Sequence, residues 1–259
     1  MLWPTEITVE HLAALGLVLT RTISLCLAAP LIGPFALGIR IRVAAGIALA
    51  LLIAPLTTSG VSRTQTTLAG FLVAAGGEAL IGLSLGLGVR TLFVAMHAAG
   101  QVVGQMSGLQ LSEVFSPGAG GKVPILSQLL FLVTTAVFLI IGGHRRVIEA
   151  LLDTFAWLPP GHSATPESLV GASTALLSHS FALGVRTAAP AIVALLLATL
   201  ILGMLSRVLP QLNLLSLGFG INVLVAIAAV GATLSGAAWL LQSELDTALR
   251  TMQHAFASW

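Results

Sequence analysis

Residues 203–223 read GMLSRVLPQLNLLSLGFGINV. The run before the turn, 188–205, is almost wholly apolar, and 214–241 is nearly so again. Arg207, Pro210, Gln211 and Asn213 interrupt them. Proline has no N–H, so the carbonyl of Ser206 loses its helical donor, and the ring disfavours a helical Leu209. Unpaired backbone exposed to hydrocarbon is very unfavourable, so such a break is buried in protein or lines a wet cavity. Gln211 and Asn213 carry donors and acceptors for the freed backbone. Two readings stand: a turn that meets a protein interior, or an ordinary short loop between two crossings. Both make the flanks long apolar helices, and the fold class is then all-α and membrane-integral.

The rest of the chain agrees. It has 259 residues, 57% hydrophobic and 8% charged, against about 25% charged in typical soluble domains. Mean hydropathy is +1.04. Too few charges are present to cover a water-exposed surface, so lipid or partner proteins cover much of it. Apolar segments run over 12–31, 43–56, 68–96, 125–141, 181–205 and 214–241. About 20 residues cross the hydrocarbon, so six helical crossings are expected, with 43–56 short enough to be re-entrant or interfacial. The start, MLWPTEITVEH, lacks the basic residues of a secretory signal, so the first apolar segment is expected to be retained. No linker or internal repeat divides the chain, which reads as one domain over 1–259.

Charge excludes some functions. Lys122 is the only lysine, and the arginines are scattered singly or in pairs, with no stripe for nucleic acid. If all six segments cross, Arg40, Arg42, Arg90, Lys122 and Arg207 fall on one side, with Arg63, Arg145, Arg146, Arg186 and Arg250 on the other. Five against five sets no orientation by the positive-inside rule. Cys26 is the only cysteine, so no internal disulfide forms.

Two stretches are amphipathic. In residues 145–161 Val147, Ile148, Leu151, Leu152 and Phe155 share one helical face. Arg145, Glu149 and Asp153 lie four apart on another, the spacing at which opposite charges pair, and Pro159, Pro160 and Gly161 end the helix. Leu241, Leu245, Leu249, Met252 and Phe256 repeat the pattern in the tail.

Several motifs suggest chemistry and lack its context. Gly82-Leu83-Ser84-Leu85-Gly86 matches a nucleophile elbow, but the serine stands inside a helical run rather than between a strand and a helix. SPGAGGKVP has Ser116 where a phosphate loop needs its first glycine, and Val123 after the lysine. None of the six histidines pairs with another at helical spacing, so no metal site is expected. Glycines at 82 and 86, and at 100, 104 and 108, place small residues on one helix face for close packing. Arg21 and Glu78 stand alone inside apolar runs, at a cost in lipid of a few kcal/mol on insertion scales. Arg21 snorkels or faces a partner subunit. Glu78 serves a proton relay or a hydrogen bond to a neighbouring helix.

The turn itself carries a resemblance. Gly203 to Asn213 with Gly218-Phe219 resembles the signature of the FliR/SctT family. GGEALIGLSLGLG (76–88) resembles its glutamate-glycine helix, HAAGQVVGQMSGLQLSEVFSP (97–117) its glycine-glutamine-methionine segment, and VPILSQLLFLVTTAVFLIIGGHRRVIEALLDTF (123–155) its following helices. The likeness spans roughly residues 12–242. The chain departs from the family pattern at Gly142, at Gly38-Ile39 and at Ser116.

The resemblance implies a non-enzymatic subunit of a type III export gate, with about six long hydrophobic helices in hairpins. It needs no cofactor. FliP-like and FliQ-like subunits would join it, with FlhB-like and FlhA-like proteins adjoining, to pass unfolded substrates through the bacterial inner membrane at the flagellar basal body. Neighbouring subunits would then cover helices that otherwise face lipid. A plug loop is implied over 107–122, including Gly108, with Gly118, Gly120 and Gly121 allowing movement. Leu109, Leu111 and Phe115 would form the seal, beside Pro117 and Lys122. Glu78, Gly82, Gly86, Gly100, Gly104, Arg207, Pro210, Gln211 and Asn213 would serve assembly. The PQLN…GFG form favours a flagellar gate. The alternatives are a virulence injectisome gate or, from another class, a small-solute secondary transporter using Glu78.

Overall fold

The computed structural model describes residues 9–29, 38–57, 67–108, 124–161, 166–208 and 214–257. Every regular element among them is helical: α1 Val9–Ala28, α2 Ile39–Thr57, α3 Leu68–Met106, α4 Ile125–Ile140, α5 Gly143–Trp157, α6 Pro166–Val208 and α7 Leu214–Ala257. Each of the six apolar segments falls mainly in a helix, with α1 ending at Ala28 and α4 at Ile140. α3, α6 and α7 run ten or more residues past their apolar cores, because helix continues where hydrophobicity stops. α3 continues ten residues past Met96, α6 begins at Pro166, a residue suited to the first helical position, and α7 runs on through the amphipathic tail.

Among the described residues, fewer than six helices reach the length and hydropathy of a crossing. Among the described residues three helices can span a membrane by length and composition, Val9–Ala28, Leu68–Met106 and Ser173–Val208. The pair Ile125–Ile140 and Gly143–Trp157 makes a fourth only if taken together across a 64° bend. Within α7 the stretch Gly218–Ala232 is apolar. The bend has a local cause. Gly142 takes φ +70, donates its N–H to Leu139, and accepts from the N–H groups of Arg145 and Arg146 to start the next helix. Left-handed backbone of this kind suits glycine. A Cβ on Gly143 would lie 2.4 Å from the Phe138 ring, so the bend also brings that ring onto the chain.

The chain divides into two compact units built from interleaved segments. The first comprises residues 1–91, 138–178 and 245–259. In it α1 buries Ala14, Leu17, Val18, Arg21, Ser24, Leu25 and Ala28, a stripe at helical spacing. Gly46 of α2 lies so close that a Cβ would be 3.0 Å from the Ile23 backbone. α5 buries Val147, Ala150, Leu151, Thr154 and Phe155. Three residues of the expected face, Val147, Leu151 and Phe155, are thus buried, while Ile148 is half-buried and Leu152 exposed. The reason is that small Ala150 and Thr154 occupy the seam. Arg145 and Glu149 pair at 2.8 Å across the exposed face, as the four-residue spacing predicts.

The second unit comprises residues 92–137 and 179–244. Its core gathers Ala99, Val103, Leu126, Leu130, Ala188, Ala191, Leu195, Ala226 and Val230 from α3, α4, α6 and α7. Phe93 and His97 meet the Phe131 ring, at 5.8 and 6.4 Å between centroids. Much of α6 is left uncovered: Leu200, Ile201, Met204 and Val208 are all exposed. Only 17% of its most apolar window is buried within the chain.

Candidate functional site

The two lone charges of the apolar runs meet. Arg21 of α1 and Glu78 of α3 form an ion pair through Nε and Oε2, with both side chains fully buried. The second carboxylate oxygen, Oε1, accepts the backbone N–H of Gly161 at 2.8 Å. Arg21 Nη1 donates to Thr154 Oγ1 at 3.3 Å, and Thr154 Oγ1 donates to the Leu151 carbonyl at 2.7 Å. The Phe155 ring covers the guanidinium, with Cζ 4.3 Å from its centroid. Arg21 Nη2 is buried with no hydrogen-bond partner among the described residues.

This geometry corrects the expectation for Arg21. It neither snorkels nor faces a partner subunit, because Glu78 neutralises it inside its own chain. Glu78 does bond to a neighbouring helix, and both its oxygens are engaged. The pair joins α1, α3, α5 and the turn that follows α5. Burying two charges in low dielectric costs several kcal/mol each, and close pairing with added hydrogen bonds offsets it. Breaking one partner away leaves that cost uncompensated.

Glycine brings α1 and α3 to the required distance. A Cβ on Gly82 would stand 2.0 Å from Ser24 Oγ and 2.2 Å from the Arg21 carbonyl oxygen. A Cβ on Gly86 would stand 2.5 Å from that of Ala28. One turn from Glu78, the α1 and α3 backbones nearly touch, as small residues four apart allow. Gly100 does the same between α3 and α4, where a Cβ would meet the Ser127 Cα at 2.5 Å. Gly104 is buried and its carbonyl accepts from Ser107 Oγ at 3.0 Å.

Gly108 closes α3 with φ +80, its N–H donating to the Gln105 carbonyl. Leu109, Leu111, Phe115, Pro117, Gly118, Gly120, Gly121 and Lys122 lie outside the described residues, as do Pro210, Gln211 and Asn213. Arg207 is exposed in the last turn of α6. Ser84 is buried in mid-helix and donates to the Ile81 carbonyl at 2.8 Å. No group of three or more metal-ligating side chains occurs among the described residues.

Thr154, Phe155 and Gly161 are site residues that sequence reading misses. Gly161 is seen there only as a helix terminator, and Thr154 lies off the expected apolar face. Three of the five arginines assigned to one side in the charge tally are held in ion pairs. Arg145 pairs with Glu149, Arg146 with Asp246, and Arg186 with Glu244 at 3.6 Å. His179 Nδ1 stands 4.0 Å from the same Glu244.

Glycine-packed apolar helices, a fully buried ion pair and helices long enough to span define a helical membrane protein. The chain belongs to the bacterial export proteins, family 1, whose family model matches residues 12–248. It is similar to the flagellar biosynthetic protein FliR of Pectobacterium carotovorum subsp. carotovorum, 31% identical over 82% of this chain and 80% of that protein. It is likewise 31% identical to FliR of Aquifex aeolicus over 84% of each chain. FliR of Caulobacter vibrioides is 26% identical over 86% of this chain and 89% of its own.

Proposed function

We infer that this chain is a subunit of the flagellar type III export gate, embedded in the bacterial inner membrane at the basal body. It assembles with FliP-like and FliQ-like subunits, adjoins FlhB-like and FlhA-like proteins, and acts without enzymatic chemistry to form the path for unfolded export substrates. The observation that carries this reading is the family match over residues 12–248, together with FliR relatives aligned over most of their own length. The structure is consistent with a subunit rather than a lone transporter. α6 presents Leu200, Ile201, Met204 and Val208 outward, a surface suited to neighbouring helices or lipid. Glu78, on which a small-solute transporter would depend, has both oxygens engaged.

The test is expression of the tagged chain in a host lacking its own FliR, followed by detergent extraction. Restored motility and co-purification of FliP-like and FliQ-like subunits are expected. A chain that is stable in the membrane, recovers neither subunit and restores no motility would overturn the reading. Restoration of an injectisome but not of a flagellum would move it to the virulence branch.

A further inference from the structure

The exposed side of α3 changes its chemistry along the helix. Up to residue 87 its exposed large side chains are leucine and valine: Leu68, Leu72, Val73, Leu80, Leu83 and Leu87. Beyond residue 96 the outward side carries His97, Gln101 and Gln105 at four-residue spacing, so the three stand in one row. His97 and Gln101 are half-buried and Gln105 is exposed, and the smaller Val94, Ala98 and Val102 lie exposed beside them. The opposite side is the packed one: Ala99 and Val103 join the core of the second unit, and Gly100 abuts Ser127 of α4. His97 stands edge-on to the Phe131 ring and meets the Gln101 amide nitrogen at 3.4 Å. The Gln101 amide oxygen and the whole Gln105 amide have no partner among the described residues.

Free amides are costly in hydrocarbon, and polar side chains in apolar helices face a protein interior or a wet cavity, where they mark substrate paths. A dry seam against a fixed neighbour fits poorly. This chain closes its own seams with glycine, at Gly82, Gly86 and Gly100, whereas glutamines in a dry seam would leave buried groups unpaired. We propose that the row His97, Gln101, Gln105 lines the path of the export substrate and holds the main chain of an extended polypeptide as it passes. The inference rests on the export-gate reading above and adds which face of this subunit the substrate meets. A glutamine amide offers both donors and an acceptor, so it takes the N–H and C=O groups that nearly every residue presents. It carries no charge, so it favours no particular sequence, and water satisfies it between passages. The spacing also fits. Gln101 and Gln105 are about 6 Å apart along the helix, close to the roughly 6.6 Å between alternate residues of an extended chain. Successive amides of the row therefore meet groups on one edge of that chain. The row ends at Gln105, two residues short of the 107–122 segment in which the plug is implied.

The test uses the whole chain in cells that lack their own FliR. Motility restored by the wild-type chain secures the gate reading separately; failure at that step overturns that reading, and the row with it. Gln101→Cys and Gln105→Cys are then made singly, beside Leu72→Cys and Leu83→Cys on the leucine side. A host export substrate is fused to a domain too stable to unfold, so that it stalls in the gate, and bears single cysteines along its unfolded stretch. Under oxidation by copper phenanthroline, disulfides to the stalled substrate are expected from Gln101→Cys and Gln105→Cys. None is expected from the two leucine positions, or from the wild-type chain, whose single Cys26 is buried. Adducts from neither glutamine position, or equally from the leucine positions, overturn the proposal. If one cysteine variant fails to accumulate, the other decides. As a second measurement, Gln101→Leu combined with Gln105→Leu should still assemble and should slow secretion by on the order of tenfold, for the hydrogen bonds lost to the passing chain. Unchanged secretion through an assembled gate also overturns the proposal.

Discussion

Gly82 and Ser24 leave no room for a methyl group between them. A Cβ on Gly82 would stand 2.0 Å from Ser24 Oγ and 2.2 Å from the Arg21 carbonyl oxygen, the latter fixed in the α1 backbone. Ser24 Oγ is itself held, donating to that same carbonyl at 2.8 Å. Gly82→Ala must therefore push α1 away from α3, at about 1–3 kcal/mol or more for overpacking. Gly76, on the same helix, has nothing within 4 Å, so Gly76→Ala should gain the roughly 1 kcal/mol of helix propensity that glycine forfeits. Thermal unfolding in detergent checks both, with the midpoint lowered for the first and unchanged or raised for the second. A lowered midpoint for both would show that the close approach is not the cause.

Glu78→Leu leaves the buried Arg21 guanidinium without its counter-charge. The expected loss is about 3–5 kcal/mol, the usual cost of stripping one partner from a buried pair. Arg21→Met combined with Glu78→Leu removes both charges and should recover most of that loss, because the pair exists largely to compensate itself. Membrane-fraction protein level and unfolding midpoint are the readouts. A double variant as unstable as the single one would refute compensation as the pair's main role.

Ser84 is expected to carry no chemistry. Its hydroxyl is buried in mid-helix and bonded to the carbonyl three residues back, which is ordinary behaviour for a helical serine. Ser84→Ala should leave motility and protein level as in wild type. Lost motility at normal protein level would restore the nucleophile reading of Gly82 to Gly86.

The Arg207 to Asn213 turn is expected to serve assembly. Gln211→Leu together with Asn213→Leu should leave backbone groups freed by Pro210 unpaired, at about 1–3 kcal/mol per group. Pull-down should then recover less of the FliP-like and FliQ-like subunits. Undiminished recovery of an intact complex would count against this role.

Removal of residues 110–121 separates a pore seal from an outside connection. In the presence of partner subunits the deleted chain should assemble and let ions leak, lowering membrane potential and growth relative to wild type. The leak should vanish when the partners are absent. A deleted chain that assembles, stays tight and still exports would exclude a sealing role for Leu111 and Phe115.

Much of this protein is written in local pattern. Helix positions follow from apolar runs and their breakers, because each helix satisfies its own backbone bonds. The close-packing faces at Gly82, Gly86 and Gly100 follow from the four-residue spacing of small side chains. The exposed Arg145–Glu149 pair follows from the same geometry. Arg21 and Glu78 stand out because isolated charges in apolar helices require a partner.

Which partner each would find was decided only by the tertiary structure. Arg21 and Glu78 lie 57 residues apart, and Glu78 and Gly161 lie 83 apart. Periodicity describes one helix at a time and does not say which helix lies beside which. For the same reason the sequence places only part of the buried face of α5, Val147, Leu151 and Phe155. Hydrophobicity alone weights Ile148 and Leu152, whereas the seam is set by the surface that α5 meets. That surface accepts Ala150 and Thr154, and Arg21 donates to the Thr154 hydroxyl. Small size and a single hydroxyl matter there only because another helix supplies the guanidinium.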